Sequence, residues 1–344
     1  MNNVAPPPAT VPLPHTPGGV AVLGEALVDV YADGTQVPGG APFNVARWLA
    51  AFGVPTLLVT RLGAGDAAAA VLRAELARFG LDGPGVQADP LHATGLVQVL
   101  PALPPAQGHR FEIATDSAWD HIDAETALPL VRAAAPALVC FGSLALRHAD
   151  SRATIARCVA GEQALPLLDL NLRDVPGLRG LAEQALQLAR WVKVNDEELH
   201  TLRGWFAGDD VPADAGADPL AHRQALRRLS QRFGIERWIV TCGAAGWYSA
   251  DASGQIDARG SAVPVAQVQD TVGAGDAFTA AVLAGQAHGW PLLRSLNAAN
   301  RLAAAVCTWR GALPADDATV HHWRDALGFA PGALAQTSEE ANLR

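Results

Sequence analysis

The sequence predicts an α/β protein: a three-layer α/β/α sandwich with a mostly parallel central sheet and a small β lid. Three observations lead there. Short apolar runs bounded by turn residues recur along the chain, and several are continuous rather than alternating, as in strands covered on both faces. Helical patterns lie between these runs, the alternation that a parallel sheet requires. Two segments, about 28–38 and 94–116, break the alternation with strand-like runs and no helix between them.

In chain order, residues 1–18 read as a disordered Pro-rich tail that lacks the basic start and apolar stretch of a secretory signal. Residues 19–330 form the main domain. Val20–Leu23 is its first strand, followed by the first lid segment. Val45, Trp48, Leu49 and Phe52 fall at i, i+3, i+4 and i+7, giving a helix that Asn44 opens as N-cap and Gly53 closes. After the strand Leu57–Thr60, Leu72, Leu76 and Phe79 repeat the helical pattern before Gly80. The second lid segment carries Pro101, Pro104, Pro105 and Gly108, and the two segments are expected to pair as a small antiparallel lid. Strands follow at Leu138–Phe141, Leu165–Leu170, Trp191–Val194 and Trp238–Thr241. The Asp-, Pro- and Gly-rich loop from Gly204 to Ala221 reads as an insertion or a helix connection, without the ordered spacing of a calcium loop. Residues 331–344 read as a polar tail.

Composition excludes several classes. A length of 344 residues suits one large domain, and no apolar run is long enough to span a bilayer. The net charge of −9 argues against nucleic acid as a partner. Cys140, Cys158, Cys242 and Cys307 are far apart and in apolar surroundings, so they read as reduced core residues, and a cytoplasmic protein is expected. Lys193 is the only lysine and follows no glycine loop, which excludes a P-loop. No strand is followed by G-x-G-x-x-G, so a dinucleotide dehydrogenase lacks its fingerprint.

The most informative segment is Asp270-Thr271-Val272-Gly273-Ala274-Gly275-Asp276-Ala277-Phe278, which runs into an Ala-rich helix. Free N–H groups at a helix N-terminus can gather around an anion, and the adjacent Asp276 can act as a base. That combination is what phosphoryl transfer to an alcohol needs: Asp276 takes the hydroxyl proton, while the N–H groups of Gly273, Ala274, Gly275 and Asp276 stabilise the transferring group. The tetrapeptide Gly63-Ala64-Gly65-Asp66 repeats the string, and only the flanking residues separate a base from a helix cap.

The segment 270–278 resembles the C-terminal signature of the ribokinase-like (phosphofructokinase B-type) carbohydrate kinases. Pro38-Gly39-Gly40-Ala41-Pro42-Phe43-Asn44-Val45-Ala46 resembles their other signature. Smaller matches lie in order at Gly24–Asp29, Asp169–Arg173, Asn195–Glu198 and Thr241–Gly246. The resemblance implies a ribokinase-like fold with a β lid, ATP as phosphoryl donor, Mg²⁺, and Asp29, Gly40 and Asn44 on sugar hydroxyls beside the Gly39-Gly40 turn. It implies Asn195 and Glu198 at phosphate and, through water, Mg²⁺. Thr241, Gly243 and Gly246 form a loop suited to the α- and β-phosphates, and Asn300 is expected near the adenine. Arg173 reads either as a phosphate contact or as a surface ion pair. Many members bind a monovalent cation such as K⁺; here Asp270, the carbonyl of Val272 and the loop around Gly311 are the candidates.

Ala41 after the paired glycines, with Gly24-Glu25 in the first strand, is similar to the fructokinase branch. The stretch 110–119 departs from that branch, so Asp116 and Trp119 are expected to tune the acceptor pocket. Fructose leads as acceptor; 2-keto-3-deoxygluconate, ribose and a nucleoside remain alternatives, as does a non-catalytic sugar- or nucleotide-binding homologue. The expected partners are the sugar and ATP, with a homodimer formed through the lid.

Overall fold

A computed structural model of the protein describes residues 18–101, 109–161, 164–208 and 219–330. The two expected tails (apart from Gly18), Pro104, Pro105 and Gly108 of the second lid segment, and most of the 204–221 loop lie outside the described residues.

The first half of the chain holds β1 (Val20–Leu23), β2 (Leu27–Tyr31), β3 (Gln36–Gly39), α1 (Ala41–Ala51), β4 (Thr56–Gly63), α2 (Ala67–Arg78), β5 (Val86–Asp89), β6 (Gly95–Pro101), β7 (His109–Ile113), α3 (Ala124–Ala134), β8 (Leu138–Gly142), α4 (Ala149–Ala160) and β9 (Leu165–Asp169). The second holds α5 (Leu178–Leu188), β10 (Trp191–Asn195), α6 (Asp196–Leu202), α7 (Pro219–Phe233), β11 (Arg237–Thr241), β12 (Trp247–Asp251), β13 (Ile256–Gly260), α8 (Ala274–Ala287), α9 (Leu292–Val306) and α10 (Asp317–Leu327).

A nine-stranded sheet runs in the order β13-β12-β11-β10-β9-β8-β1-β4-β5. It is parallel from β11 to β5, with β12 and β13 added antiparallel at one edge. The strands read as continuous apolar runs because both faces are covered. Val20 and Val22 pack into one core with α1, α2, α8, α9 and α10. Ala21 and Leu23 pack into the other with α3 to α7. Alternate residues of one strand thus serve opposite layers, and the three-layer sandwich follows.

The second sheet, in the order β3-β2-β6-β7, corrects the expectation of an antiparallel lid. β2 and β6 pair in parallel, from Leu27 opposite Gly95 to Tyr31 opposite Val99, so the sheet is mixed. The reason is topological. β1 and β5 point the same way in the main sheet, and each passes directly into a strand of the small one. A second correction concerns α1, which begins at Ala41 with Pro42 in its first turn and Gly40 as N-cap. Asn44 therefore lies inside the helix rather than capping it, its own N–H bonded to the Gly40 carbonyl. Cys140, Cys158, Cys242 and Cys307 are all free thiols. Among the described residues no helix is long and apolar enough to cross a membrane.

Candidate active site

The Gly-rich segment folds as the last part of the loop that joins β13 to α8. Gly273 is the N-cap with φ +80°, and a Cβ there would stand 2.4 Å from Ala312, so glycine is required. The N–H groups of Gly273, Gly275 and Asp276 have no partner among the described residues, whereas that of Ala274 donates to the Thr271 carbonyl over 3.2 Å. Three free donors therefore converge at the positive end of the α8 dipole.

Asp276 stands in the first turn, half-buried. Its Oδ2 accepts a hydrogen bond from Nδ2 of Asn44 at 2.7 Å. Asn44 is in turn held by Arg47, whose Nη2 donates to its Oδ1 at 2.6 Å while Nη1 reaches Glu75 at 3.0 Å. Burial raises the pKa of Asp276, with repulsion from Asp169 acting the same way; the Asn44 hydrogen bond and the charges of Lys193 and Arg173 oppose it. The carboxylate is thus a stronger base than a solvated aspartate.

Beneath the anion nest lies a residue whose role sequence reasoning missed. Lys193, in the middle of β10, donates to Oδ1 of Asp169 at 3.0 Å, and Thr279 donates to Oδ2 at 2.6 Å. Its Nζ stands 3.0 Å from where a Cβ on Gly275 would fall. Burial works to lower the Lys193 pKa, but Asp169 and Glu198 outweigh it and hold the ammonium charged. The available signal was a lone lysine inside an apolar strand.

At the small sheet, Asp29 on β2 is half-buried, and its pKa is raised to about 6 by burial, with Arg173 opposing and Asp276 adding to the shift. A Cβ on Gly39 would lie 2.5 Å from its Oδ2, and one on Gly40 (φ +104°) 2.6 Å from the Glu25 carbonyl. The paired glycines are what lets β3 and the start of α1 approach these groups. Glu25 is a second omission. It is buried, its pKa is raised to about 7 by burial, and its Oε2 has no hydrogen-bond partner among the described residues. Arg173 forms no ion pair with a described residue; it acts on Glu25, Asp29 and Asp276 together and lies 6.0 Å from the Phe111 ring. The surface-ion-pair alternative is not what the structure shows.

Asn195 and Thr241 are register partners at the ends of β10 and β11. Asn195 and Glu198 form a reciprocal cap, and Glu198 also accepts from Leu172 N–H at 2.8 Å. Burial raises the Glu198 pKa against the pull of Lys193. Gly243 (φ +51°) and Gly246 (φ +101°) close the tight turn after β11, with Cys242 N–H bonded to the Gly246 carbonyl. Asn300, on α9, donates to the Ser261 carbonyl at 2.8 Å. Asp270 accepts from Val272 N–H and, at 3.1 Å, from Gly311 N–H, so the two candidate cation-binding loops do meet.

Two expected pocket residues lie elsewhere. Trp119 is fully buried behind β6, its indole against Gly95 and under the Arg147 guanidinium, so it presents no surface to a ligand. Asp116 is exposed and engaged with His121. The first Gly-Ala-Gly-Asp copy is a helix cap: Asp66 accepts from Ala69 N–H at 2.7 Å and from Thr94 N–H at 2.8 Å.

A helix-terminal cluster of free N–H groups, a basic carboxylate and nearby carboxyl and amide groups make a site with the chemistry for moving an anionic group onto an alcohol. Comparison agrees. The family model described as "pfkB family carbohydrate kinase" matches residues 20–318, and the chain belongs to that family. It is 33% identical over 316 residues to a fructokinase of Klebsiella pneumoniae, covering 87% of this chain and 96% of that one. Among solved structures, a fructokinase of Xylella fastidiosa with bound ATP aligns at a TM-score of 0.74 and 23% identity, covering 90% and 97% of the two chains. A double mutant of a Vibrio cholerae fructokinase, bound to fructose, ADP and potassium, aligns at a TM-score of 0.70 and 24% identity over 89% and 98%. The protein is a carbohydrate kinase.

Proposed function

We propose that this kinase transfers the γ-phosphoryl group of ATP to a hydroxyl of fructose, with Asp276 as general base. The observation that carries the assignment is the pairing of three unpartnered N–H groups with a pKa-raised Asp276, fixed at 2.7 Å by Asn44. In the transfer the hydroxyl proton passes to the Asp276 carboxylate. The hydroxyl oxygen forms its bond to phosphorus as the bond to the ADP oxygen breaks. Gly273, Gly275 and Asp276 N–H groups, with Lys193 below them, stabilise the charge on the transferring group. Asp29, Gly40 and Asn44 hold sugar hydroxyls, and Arg173 meets the phosphate. Trp119 acts only from behind the pocket wall.

Thr241, Gly243 and Gly246 cradle the α- and β-phosphates, and Asn195 lies beside them. Each Glu198 oxygen uses one acceptor site on a backbone N–H, which leaves lone pairs for the waters of a Mg²⁺ ion. Mg²⁺ supplies neutralisation of phosphate charge when bound. Asp270 and the loops it joins fit a monovalent cation such as K⁺, and the potassium in the Vibrio cholerae structure supports that reading. Fructose is favoured by the fructokinase named among the relatives. We also assign the small sheet as a lid and as the homodimer contact, and a cytoplasmic location.

The test is coupled ATP turnover on a sugar panel with wild type, Asp276→Asn and Asp66→Asn. Fructose is expected to drive ADP release. Asp276→Asn should lose roughly 10²–10⁴ in kcat, while Asp66→Asn, which keeps an oxygen for the Ala69 N–H cap and gives up the Thr94 bond, stays active. Turnover with another sugar alone would replace fructose; an inactive Asp66→Asn beside an active Asp276→Asn would overturn the base assignment.

A further inference from the structure

Outside the kinase site, three histidines and three aspartates gather where the β5–β6 connection meets the segment after β7. The His92 and His121 rings stack at 3.8 Å with an interplanar angle of 15°. Asp116 faces both: its Oδ1 is 2.8 Å from His121 Nε2 and 3.9 Å from His92 Nε2. One donor atom from each of these three residues lies within 4.8 Å of the others. Ligands bound at zinc-like lengths of about 2.0–2.2 Å stand roughly 3–3.5 Å apart, so the recorded separations bracket that spacing, and binding requires the stacked rings to splay from parallel until both Nε2 lone pairs point at one ion.

The far nitrogens strengthen the case. His92 Nδ1 is 3.0 Å from Oδ2 of Asp89, a carboxylate with no exposed side-chain surface. His121 Nδ1 is 2.8 Å from Oδ2 of Asp150. Backing each imidazole with a carboxylate is how metal-ligating histidines are oriented, their second nitrogen donating outward and the first left facing the ion. Asp89 is itself fixed, by Arg61 at 2.9 Å and by the N–H groups of Leu91 and His92. The backbone holds Asp116 at φ +56°.

We propose that His92 Nε2, His121 Nε2 and Asp116 Oδ1 form a binding site for a transition-metal dication of zinc type, with Asp89 and Asp150 as orienting partners. Two imidazoles and one carboxylate suit zinc, nickel or cobalt and disfavour magnesium, which takes oxygen ligands. A bound ion would tie the exit of β7 to the connection between the two sheets, pinning one side of the small sheet.

The experiment is titration calorimetry of the EDTA-treated full chain with zinc chloride, with magnesium chloride as comparator. Wild type should bind one zinc per chain at this site, as should His148→Ala and the double variant His321→Ala/His322→Ala, which removes the exposed histidine pair of α10. Asp116→Asn and His121→Ala should lose that equivalent, and Asp150→Asn should weaken it roughly ten- to hundredfold. Asp116 is exposed, so its variant keeps the fold, and circular dichroism checks this. Cobalt provides a second readout: a ligand-field absorption band in wild type that Asp116→Asn removes. Zinc binding unchanged in Asp116→Asn and His121→Ala, no zinc equivalent in wild type, or loss of zinc in His148→Ala would each overturn the assignment.

Discussion

The side-chain amide of Asn44 donates to Oδ2 of Asp276 across 2.7 Å, joining residues 232 apart in the sequence. The bond lies between α1 and α8, and Arg47 holds its far side by bonding Asn44 Oδ1. Asn44 favours the charged form of Asp276 and aims it. Asn44→Ala removes an influence that lowers the Asp276 pKa, so that pKa should rise. The acid limb of the kcat/KM profile is then expected to move to higher pH, with a loss of roughly ten- to hundredfold from a hydrogen bond to a charged group. Sugar kinase assays across pH on both proteins check it, and an unmoved limb counts against the idea.

Lys193 and Asp169 form a buried ion pair, with side chains 9% and 5% exposed. Removing one partner strands the other charge in a low-dielectric setting. Lys193→Met is expected to cost about 3–5 kcal/mol in urea unfolding. Replacing both, as Lys193→Met with Asp169→Asn, should recover part of that loss. A single-variant loss below about 1 kcal/mol would show that the pair is solvated.

The parallel sheet was legible because its strands are buried on both sides and their apolar runs are unbroken, as in Leu138–Gly142. β13 was not, because Ile256–Gly260 lies at an edge and alternates half-buried with exposed residues. The start of α1 was misplaced by following apolar periodicity from Val45, although Pro42 signals a helix beginning earlier. The parallel pairing of β2 with β6 depends on the directions of β1 and β5, which no local pattern carries. The glycine turn into α8, with Asp276 in the first turn, was legible from local chemistry. The Asn44 contact and the Lys193–Asp169–Thr279 cluster required packing between distant helices and strands, and Trp119 and Asp116 were misjudged for the same reason.

Glu25 gives the protein a pH dependence of stability. Its pKa is raised from 4.5 to about 7, chiefly by burial, so between these values the folded state binds more protons than the unfolded one. Stability is then fully present below pH 4.5 and falls as pH rises to about 7. The shift corresponds to about 3 kcal/mol. Glu25→Gln should flatten this slope, so that the stability difference between variant and wild type moves in the variant's favour by about that amount between pH 4.5 and 7.5. Denaturation series at both pH values measure it, and parallel curves would remove Glu25 as the cause.

The small sheet has two edges of unequal character. β3 carries Pro38, which cannot donate to a neighbouring strand. Among the described residues β7 pairs only with β6, and it shows Phe111 at 42% exposure. An open edge with an exposed aromatic seeks a partner, and a second copy of β7 meets that need by a twofold axis. Light scattering of the wild type should therefore give twice the chain mass of 35.7 kDa. Phe111→Glu sets like charges against each other across such an axis and should shift the mass to that of one chain. A monomeric wild type at working concentration sinks the homodimer. A dimer that Phe111→Glu leaves intact places the contact on a face other than β7.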